Sequence, residues 1–314
     1  MGFRFGPKGY WREAFLFRLV FRPGVVIFLL ILAGYSAALV YLHDNLHVLA
    51  VREDDQSILE RLVQVLGTLL GLLIALRLNA TFQRWWEART LWGGIVNQSR
   101  NIGIAANAYG PVESSWRDDV LRWTIAFGHA ARGELRSDRK LDELLPILGS
   151  EDTDRLRSAH HMPTYAAKRL AMLFRAALDS GQLNEMAFRQ LEIERSRLID
   201  HVGGCERIRS TPLNRPFVIA VRQFVLITLA ASPLTFYSLI ESKSLIPIMV
   251  AAIGYPLILL DEIGAELENP FDPKSLGHLP LERYTTTIEA DLRCEMSVDP
   301  DQNRIDRSAA RRQT

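Results

Sequence analysis

The sequence predicts an all-α, polytopic membrane protein with four transmembrane helices and a large cytoplasmic helical region. Three observations predict it. Four apolar runs are long enough, or nearly so, to cross a bilayer as helices, which takes roughly 17 to 25 residues each. The stretch between the second and third shows apolar residues at helical spacing and no strand alternation. Arginine and lysine are distributed unevenly along the chain although its formal net charge is only +1.

Residues 1–23 form a basic amino-terminal segment, with Arg4, Lys8, Arg12, Arg18 and Arg22 against one acid, Glu13. Positive flanks stay on the cytoplasmic side. The first span, residues 24–42 (GVVIFLLILAGYSAALVYL), carries no charge and is followed by HDNLHVLAVRED without a small-residue cleavage site, so it reads as a retained span rather than a signal peptide. The next loop holds Asp44, Glu53, Asp54, Asp55 and Glu60 against Arg52 and Arg61, which suits the outer side. Within it His43 and His47 are four apart and share a helix face; a closed zinc site needs four ligands, and an interfacial polar pair accounts for them as well.

The second span, residues 62–76 (LVQVLGTLLGLLIAL), is short, and snorkelling Arg61 and Arg77 extend it. Two stripes at spacing i, i+4, i+8 run along it. Gly67, Gly71 and Ala75 form one, and small residues four apart let helix backbones approach closely in lipid. Thr68, Leu72 and Leu76 form the next. In a symmetric ring that second stripe faces the axis, and leucines there make a hydrophobic constriction. The alternative is that Leu72 and Leu76 face lipid or a neighbouring helix.

No turn signal separates this span from RLNATFQRWWEARTLWGGIVNQSRN at residues 77–101, so the helix is expected to continue into the cytoplasm. Trp85, Trp86 and Trp92 suit an interfacial belt or a helical core, and Arg84, Glu87 and Arg89 offer charge-assisted hydrogen bonds to neighbouring helices. Residues 80–216 then form the cytoplasmic helical region, with Val120, Trp123 and Phe127 and with Leu170, Leu173 and Phe174 as apolar faces. Breaks are expected at residues 108–115, 160–164 and 203–216. The third and fourth spans, residues 217–240 and 244–260, are joined by a short outer turn at 241–243, so both termini come out cytoplasmic. Arg222 inside the third span must face protein or water. Asp261, Glu262, Glu266 and Glu268 after the fourth meet no candidate nucleophile and are expected to pair with arginines. A segment at 268–297 follows, and the polar tail at 298–314 has no apolar periodicity.

Composition excludes several classes. There is no basic surplus for nucleic acid. Cys205 and Cys294 lie far apart without metal-ligand spacing, so neither a zinc site nor a disulfide framework is indicated, and both are expected to remain reduced. No constellation of catalytic groups, cofactor motif or metal site is present, and the reading is that of a non-enzyme.

The run RLNATFQRWWEARTLWGGIVNQSRN resembles the signature of the bestrophin family, in its bacterial bestrophin-like branch, with Arg84, Trp85, Trp86 and Glu87 at its centre. GGCERIRSTPL at 203–213 is similar to a second block, and ELENPFDPKSLGHLPLERY at 266–284 to a third that contains Asn269, Pro270 and Phe271. Together the likeness covers most of residues 20–293. It implies a homopentameric ion channel of the bacterial inner membrane whose partners are inorganic ions, the lipid bilayer and further copies of the chain. Five copies of the second span surround one pore that continues through a helical cytosolic cavity. Counting back from Arg84 carries the family's three-residue neck onto Thr68, Leu72 and Leu76. A cytosolic aperture falls near Met186 or Phe188. Animal members have an acidic calcium clasp after the NPF segment, whereas this chain has only Asp272 in DPKSLGHLP, and hard calcium wants several oxygen ligands. Calcium activation is therefore not expected. The resemblance implies conduction of chloride or other small anions, with a monovalent-cation channel of the same architecture as the alternative. A scaffold or enzyme using the cytoplasmic region for docking is the rival from another class.

Overall fold

The computed structural model describes residues 23–46, 53–111 and 114–297. The amino-terminal basic segment, His47 and the tail from 298 lie outside the described residues. All regular structure among the described residues is helical. The chain divides into two compact units, one of residues 1–83 and 213–268 and one of residues 84–212 and 269–314.

The first unit holds the four helices long and apolar enough to cross a membrane. Helix α1 spans Pro23–Leu46. Helix α2 runs unbroken over Glu53–Tyr109 and contributes its first part to this unit. Helices α8 (Arg215–Leu239) and α9 (Ile246–Glu268) complete it. Leu32, Leu70, Ile74, Val221, Val225, Leu229, Ile246 and Val250 form its core, while Leu30, Ile31, Leu226 and Ile248 are exposed, as lipid-facing side chains are. Pro233 within α8 deprives the Leu229 carbonyl of its amide donor. The Ser232 hydroxyl donates to that carbonyl at 2.9 Å, so the helix continues.

The second unit comprises the rest of α2, then α3 (Ser114–Arg136), a 3-10 turn (Asp142–Leu144), α4 (Leu145–Leu148), α5 (Ser150–Ser158), α6 (Met162–Asp179), α7 (Glu185–Ser210) and α10 (Leu281–Ser297). Helix α3 is its centre, lying against α6, α10 and α7. Val120, Trp123, Phe127, Leu170 and Phe174 are buried there, with Leu173 partly so, as their spacing predicts.

The break expected at residues 203–216 falls at residues 211–214. The glycines at 203 and 204 do not themselves end a helix, because α7 continues to Ser210. Gly204 is instead a point of close approach, where a Cβ would meet the Leu91 side chain of α2 at 2.8 Å. Gly94 of α2 answers it, since a Cβ there would meet the His201 ring at 2.5 Å. Residues 180–184 contain a break that periodicity did not suggest: Gly181 has φ 71°, and the Asn184 side chain accepts from the Ala187 amide at 2.8 Å to start α7.

Candidate functional site: the uncovered face of the long helix

Within the first unit α2 has two unlike sides. Leu70, Ile74, Arg77 and Thr81 recur at helical spacing and are buried against the unit's own helices. Thr68, Leu72 and Leu76 point away from it, with Leu72 57% and Leu76 51% exposed. The Thr68 hydroxyl donates back to the Gln64 carbonyl at 2.9 Å, so its proton is spent on its own helix. Gly67, Gly71 and Ala75 are also exposed, and a Cβ on either glycine would meet nothing within 4 Å. The small-residue stripe therefore makes no close helix contact inside the chain. What the chain leaves uncovered is a strip of glycine, alanine and leucine far too apolar to be a water-facing surface.

Charge near this strip is tightly organised. Arg77, next to Leu76, is 2% exposed and pairs with Asp261 of α9, while Arg222 Nε of α8 approaches the other Asp261 oxygen at 3.1 Å. This corrects one expectation. Arg77 does not snorkel at the end of the span, because a carboxylate inside the unit offers a stronger partner than the headgroup zone, and its charge is spent on that carboxylate. Arg222 is half-exposed and turns its Nε toward this protein carboxylate. At the opposite end of α8, Tyr237 donates to Asp44 and Ser238 to Glu60, each at 2.5 Å. The His43 ring lies 4.0 Å from the Tyr237 ring, and among the described residues no group of three metal-ligating side chains converges.

In the second unit the three sequence blocks that carry the resemblance meet one another. Arg84 Nη2 donates to the Ile208 carbonyl at 2.5 Å and Glu87 pairs with Arg207 at 2.6 Å, joining the tryptophan block to the cysteine block. Trp85 Nε1 donates to the Gly277 carbonyl at 2.7 Å, joining it to the NPF segment. Trp92 is fully buried, with the Tyr284 ring 6.0 Å away, so Trp85 and Trp92 belong to the helical core and only Trp86 is exposed. The apolar span runs directly into paired tryptophans because one helix serves both units, and these indoles and arginines fasten its second part to α7 and to the loop before α10.

That loop is held from within. Asn269 Oδ1 accepts from the Phe271 amide at 3.2 Å, the Pro270 carbonyl accepts from Leu279 at 2.7 Å, and Phe271 is 1% exposed. Asp272 accepts from the Lys274 amide at 2.9 Å. Arg136 donates to the Leu279 carbonyl at 3.2 Å and pairs with Glu282. Cys205 is buried and unpaired, and burial pushes its thiol up to about 12. Of the two aperture candidates, Met186 is 77% exposed at the start of α7, whereas Phe188 is half-buried against the core.

Four apolar helices, a long central helix with an uncovered strip and a second helical unit define a multi-pass membrane protein. The family model for Bacterial/Fungal Bestrophin protein matches residues 6–294, and the chain belongs to the bestrophin family. The voltage-dependent anion channel-forming protein YneE of Salmonella typhi is 30% identical over 232 residues, 73% of this chain and 74% of that protein. A voltage-dependent anion channel-forming protein of Synechocystis is 26% identical over 235 residues, 74% of this chain and 76% of that protein. A crystal structure of a bacterial bestrophin homologue from Klebsiella pneumoniae has the same fold, with a TM-score of 0.75 at 20% identity over 88% of this chain and 100% of that one. The two sequence relatives are named as anion channel-forming proteins.

Proposed function

We propose that the protein is a passive channel subunit that assembles as a homopentamer in a bacterial inner membrane and conducts chloride or other small inorganic anions through a central pore. Thr68, Leu72 and Leu76 form its neck, Gly67, Gly71 and Ala75 seat the neighbouring subunits, and Met186 stands at the cytosolic aperture. Both termini lie in the cytoplasm, and the second unit is the cytoplasmic one.

The observation that carries this reading is the uncovered strip of α2. The chain buries one face of the helix among its own helices and leaves the leucine and glycine stripes open, an arrangement that calls for further copies of the same surface. Ring closure puts one stripe between helices and the adjoining one on the axis. The names of the relatives support anions as cargo.

A monovalent-cation channel is the second reading, and one observation favours it: Arg77 and Arg84, beside and below the neck, are both spent on protein partners. Reversal potentials of the purified protein in planar bilayers under a salt gradient decide between them. Reversal toward the chloride equilibrium potential is expected; reversal toward the cation potential refutes the anion assignment, and no current at all refutes the channel.

A further inference from the structure

Where α1 and α8 begin and α9 finishes, the three helices enclose a groove of about 590 Å³ inside the first unit. Sites for small organic molecules run from about 300 to 1,000 Å³, so the groove suits part of a molecule larger than a bare ion. Its lining changes with depth. Arg222 and Asp261 each lie seven residues from the nearer end of their helix, about 10 Å along the axis at ~1.5 Å per residue. One turn further toward the middle of the span, α8 contributes Val225 and α9 contributes Ile258, and Phe28 of α1 joins them. Charged groups therefore stand at the end that meets headgroups, and apolar ones continue into the hydrocarbon. Leu226, four residues on from Arg222 and on the same face of α8, is half-exposed like Arg222 itself, so this side of the groove is the one that lipid meets.

The charges decide which lipid fits. Arg222 spends Nε on Asp261, and among the described residues its two Nη groups donate to nothing. A guanidinium edge of this kind matches a phosphate. Asp261 has one oxygen on Arg77 and the other on Arg222. Glu262 interacts within the protein already, and a carboxylate has room for several donors, so an ammonium can join it. The lining thus holds two carboxylates and one guanidinium, and Arg77 behind Asp261 brings the group to neutrality. A neutral group of both signs gives little to a headgroup of net charge. It rewards one that carries a phosphate and an ammonium together.

We propose that this groove is a binding site for a glycerophospholipid with a primary-ammonium headgroup, phosphatidylethanolamine, its phosphate on Arg222, its ammonium on Glu262 and the first part of an acyl chain along Phe28, Val225 and Ile258. This needs the membrane placement of the first unit and not the ion-conducting reading. The test is native mass spectrometry of the full-length protein released from micelles containing equal amounts of phosphatidylethanolamine, phosphatidylglycerol, which lacks the ammonium, and phosphatidylcholine, whose quaternary ammonium has no N–H to donate. The natural chain should retain phosphatidylethanolamine over each of the others about tenfold, the contribution of one charge-assisted hydrogen bond. Arg222→Gln should weaken retention of all three phospholipids about tenfold. Glu262→Gln should keep the phosphate contact and erase the preference for the primary ammonium. Arg122→Gln, on the exposed face of α3, should change nothing.

Equal retention of the three lipids by the natural chain overturns the site, as does a preference that survives both Arg222→Gln and Glu262→Gln. If Arg222→Gln does not purify, Glu262→Gln decides, because it leaves both pairs of Asp261 in place. A preference that emerges only after residues 2–20 are deleted gives the groove to the chain's own basic amino-terminal segment. Retention by dissociated subunits but not by the assembled protein gives it to a neighbouring copy. Either result removes the lipid from the groove, and neither depends on current through a pore.

Discussion

The guanidinium of Arg77 is buried against the carboxylate of Asp261, 184 positions later in the chain, and it is this pair that ties the pore-candidate helix to α9. Arg77 is 2% exposed, and Gly264 lies beside its guanidinium, where a Cβ would come 3.5 Å from Nε. Arg222 shares the same carboxylate from a half-exposed position. Leaving a buried charge without its partner costs about 3–5 kcal/mol, whereas an exposed pair contributes about 0–1 kcal/mol. Arg77→Met should therefore lower the thermal midpoint in detergent strongly and Arg222→Gln only slightly. Replacing both buried partners, Arg77→Met with Asp261→Leu, should recover much of the loss, because two apolar groups leave no stranded charge. Equal midpoints for Arg77→Met and Arg222→Gln would show that the pair is not buried as described.

A second pair sets a pH dependence in the second unit. His129 is 3% exposed with Nε2 3.3 Å from Glu289 Oε2. Burial lowers its pKa below 6.5 and Arg132 adds to that, while Glu143 and Glu289 oppose it. The neutral ring is favoured in the fold, with its proton on Nε2 facing Glu289. His201 is shifted the same way, chiefly by burial. A histidine whose folded pKa lies below its unfolded value leaves the unfolded chain holding more protons in between, so stability falls as pH drops below about 6.5 and levels off beneath the folded pKa. Thermal midpoints measured from pH 8 to pH 5 should decline on the acid side, and the slope should flatten in His129→Gln. An unchanged slope in that variant would assign the decline to other groups.

Elements were legible in the sequence because they depend on local pattern: hydropathy delimits the four spans, and the absence of a turn signal after Leu76 predicts the continuous helix. Partners were not legible where they lie far along the chain. Nothing near Arg77 announces Asp261, so a snorkelling arginine was the natural expectation. An indole suits a membrane interface and a protein core equally, which is why Trp85 and Trp92 needed Gly277 and Tyr284 to place them. A pair of glycines reads as a break unless the crossing helix is known, and Leu91 at Gly204 supplies that reason. The break at 180–184 did carry a signal, a glycine followed by an asparagine cap, and helical spacing on either side masked it. The open faces of Gly67, Gly71, Leu72 and Leu76 were visible as stripes, since each stripe recurs at helical spacing on one helix.

Assembly should depend on Gly71 without folding doing so. A side chain at this position meets nothing within 4 Å inside the chain, so Gly71→Leu costs the fold of a single subunit little, while in a ring it holds neighbouring backbones apart. Light scattering after size exclusion in detergent should give a pentamer for the natural chain and smaller species for the variant, both with the same helical circular dichroism. A natural protein that runs as a monomer or dimer would remove the ring.

The neck makes the sharpest claim, because the stripe and the exposure meet on the same side chains. If Leu72 and Leu76 ring a narrow axis, as proposed, water should find the constriction unfavourable and the resting flux should be low. Shortening both to alanine widens the passage and admits water, and a barrier lowered by ~1.4 kcal/mol raises flux about tenfold. Neither leucine belongs to the buried core of its own chain, so the double variant should keep its thermal midpoint and, with Gly67, Gly71 and Ala75 intact, its oligomeric mass. Anion flux from reconstituted liposomes, followed with a halide-quenched dye, should then rise well above the natural rate. If the two leucines face acyl chains, their truncation removes only contacts with lipid and leaves the flux where it was. An intact oligomer of the double variant with natural flux takes Leu72 and Leu76 off the pore axis, and the axis itself would have to be sought on another face of α2.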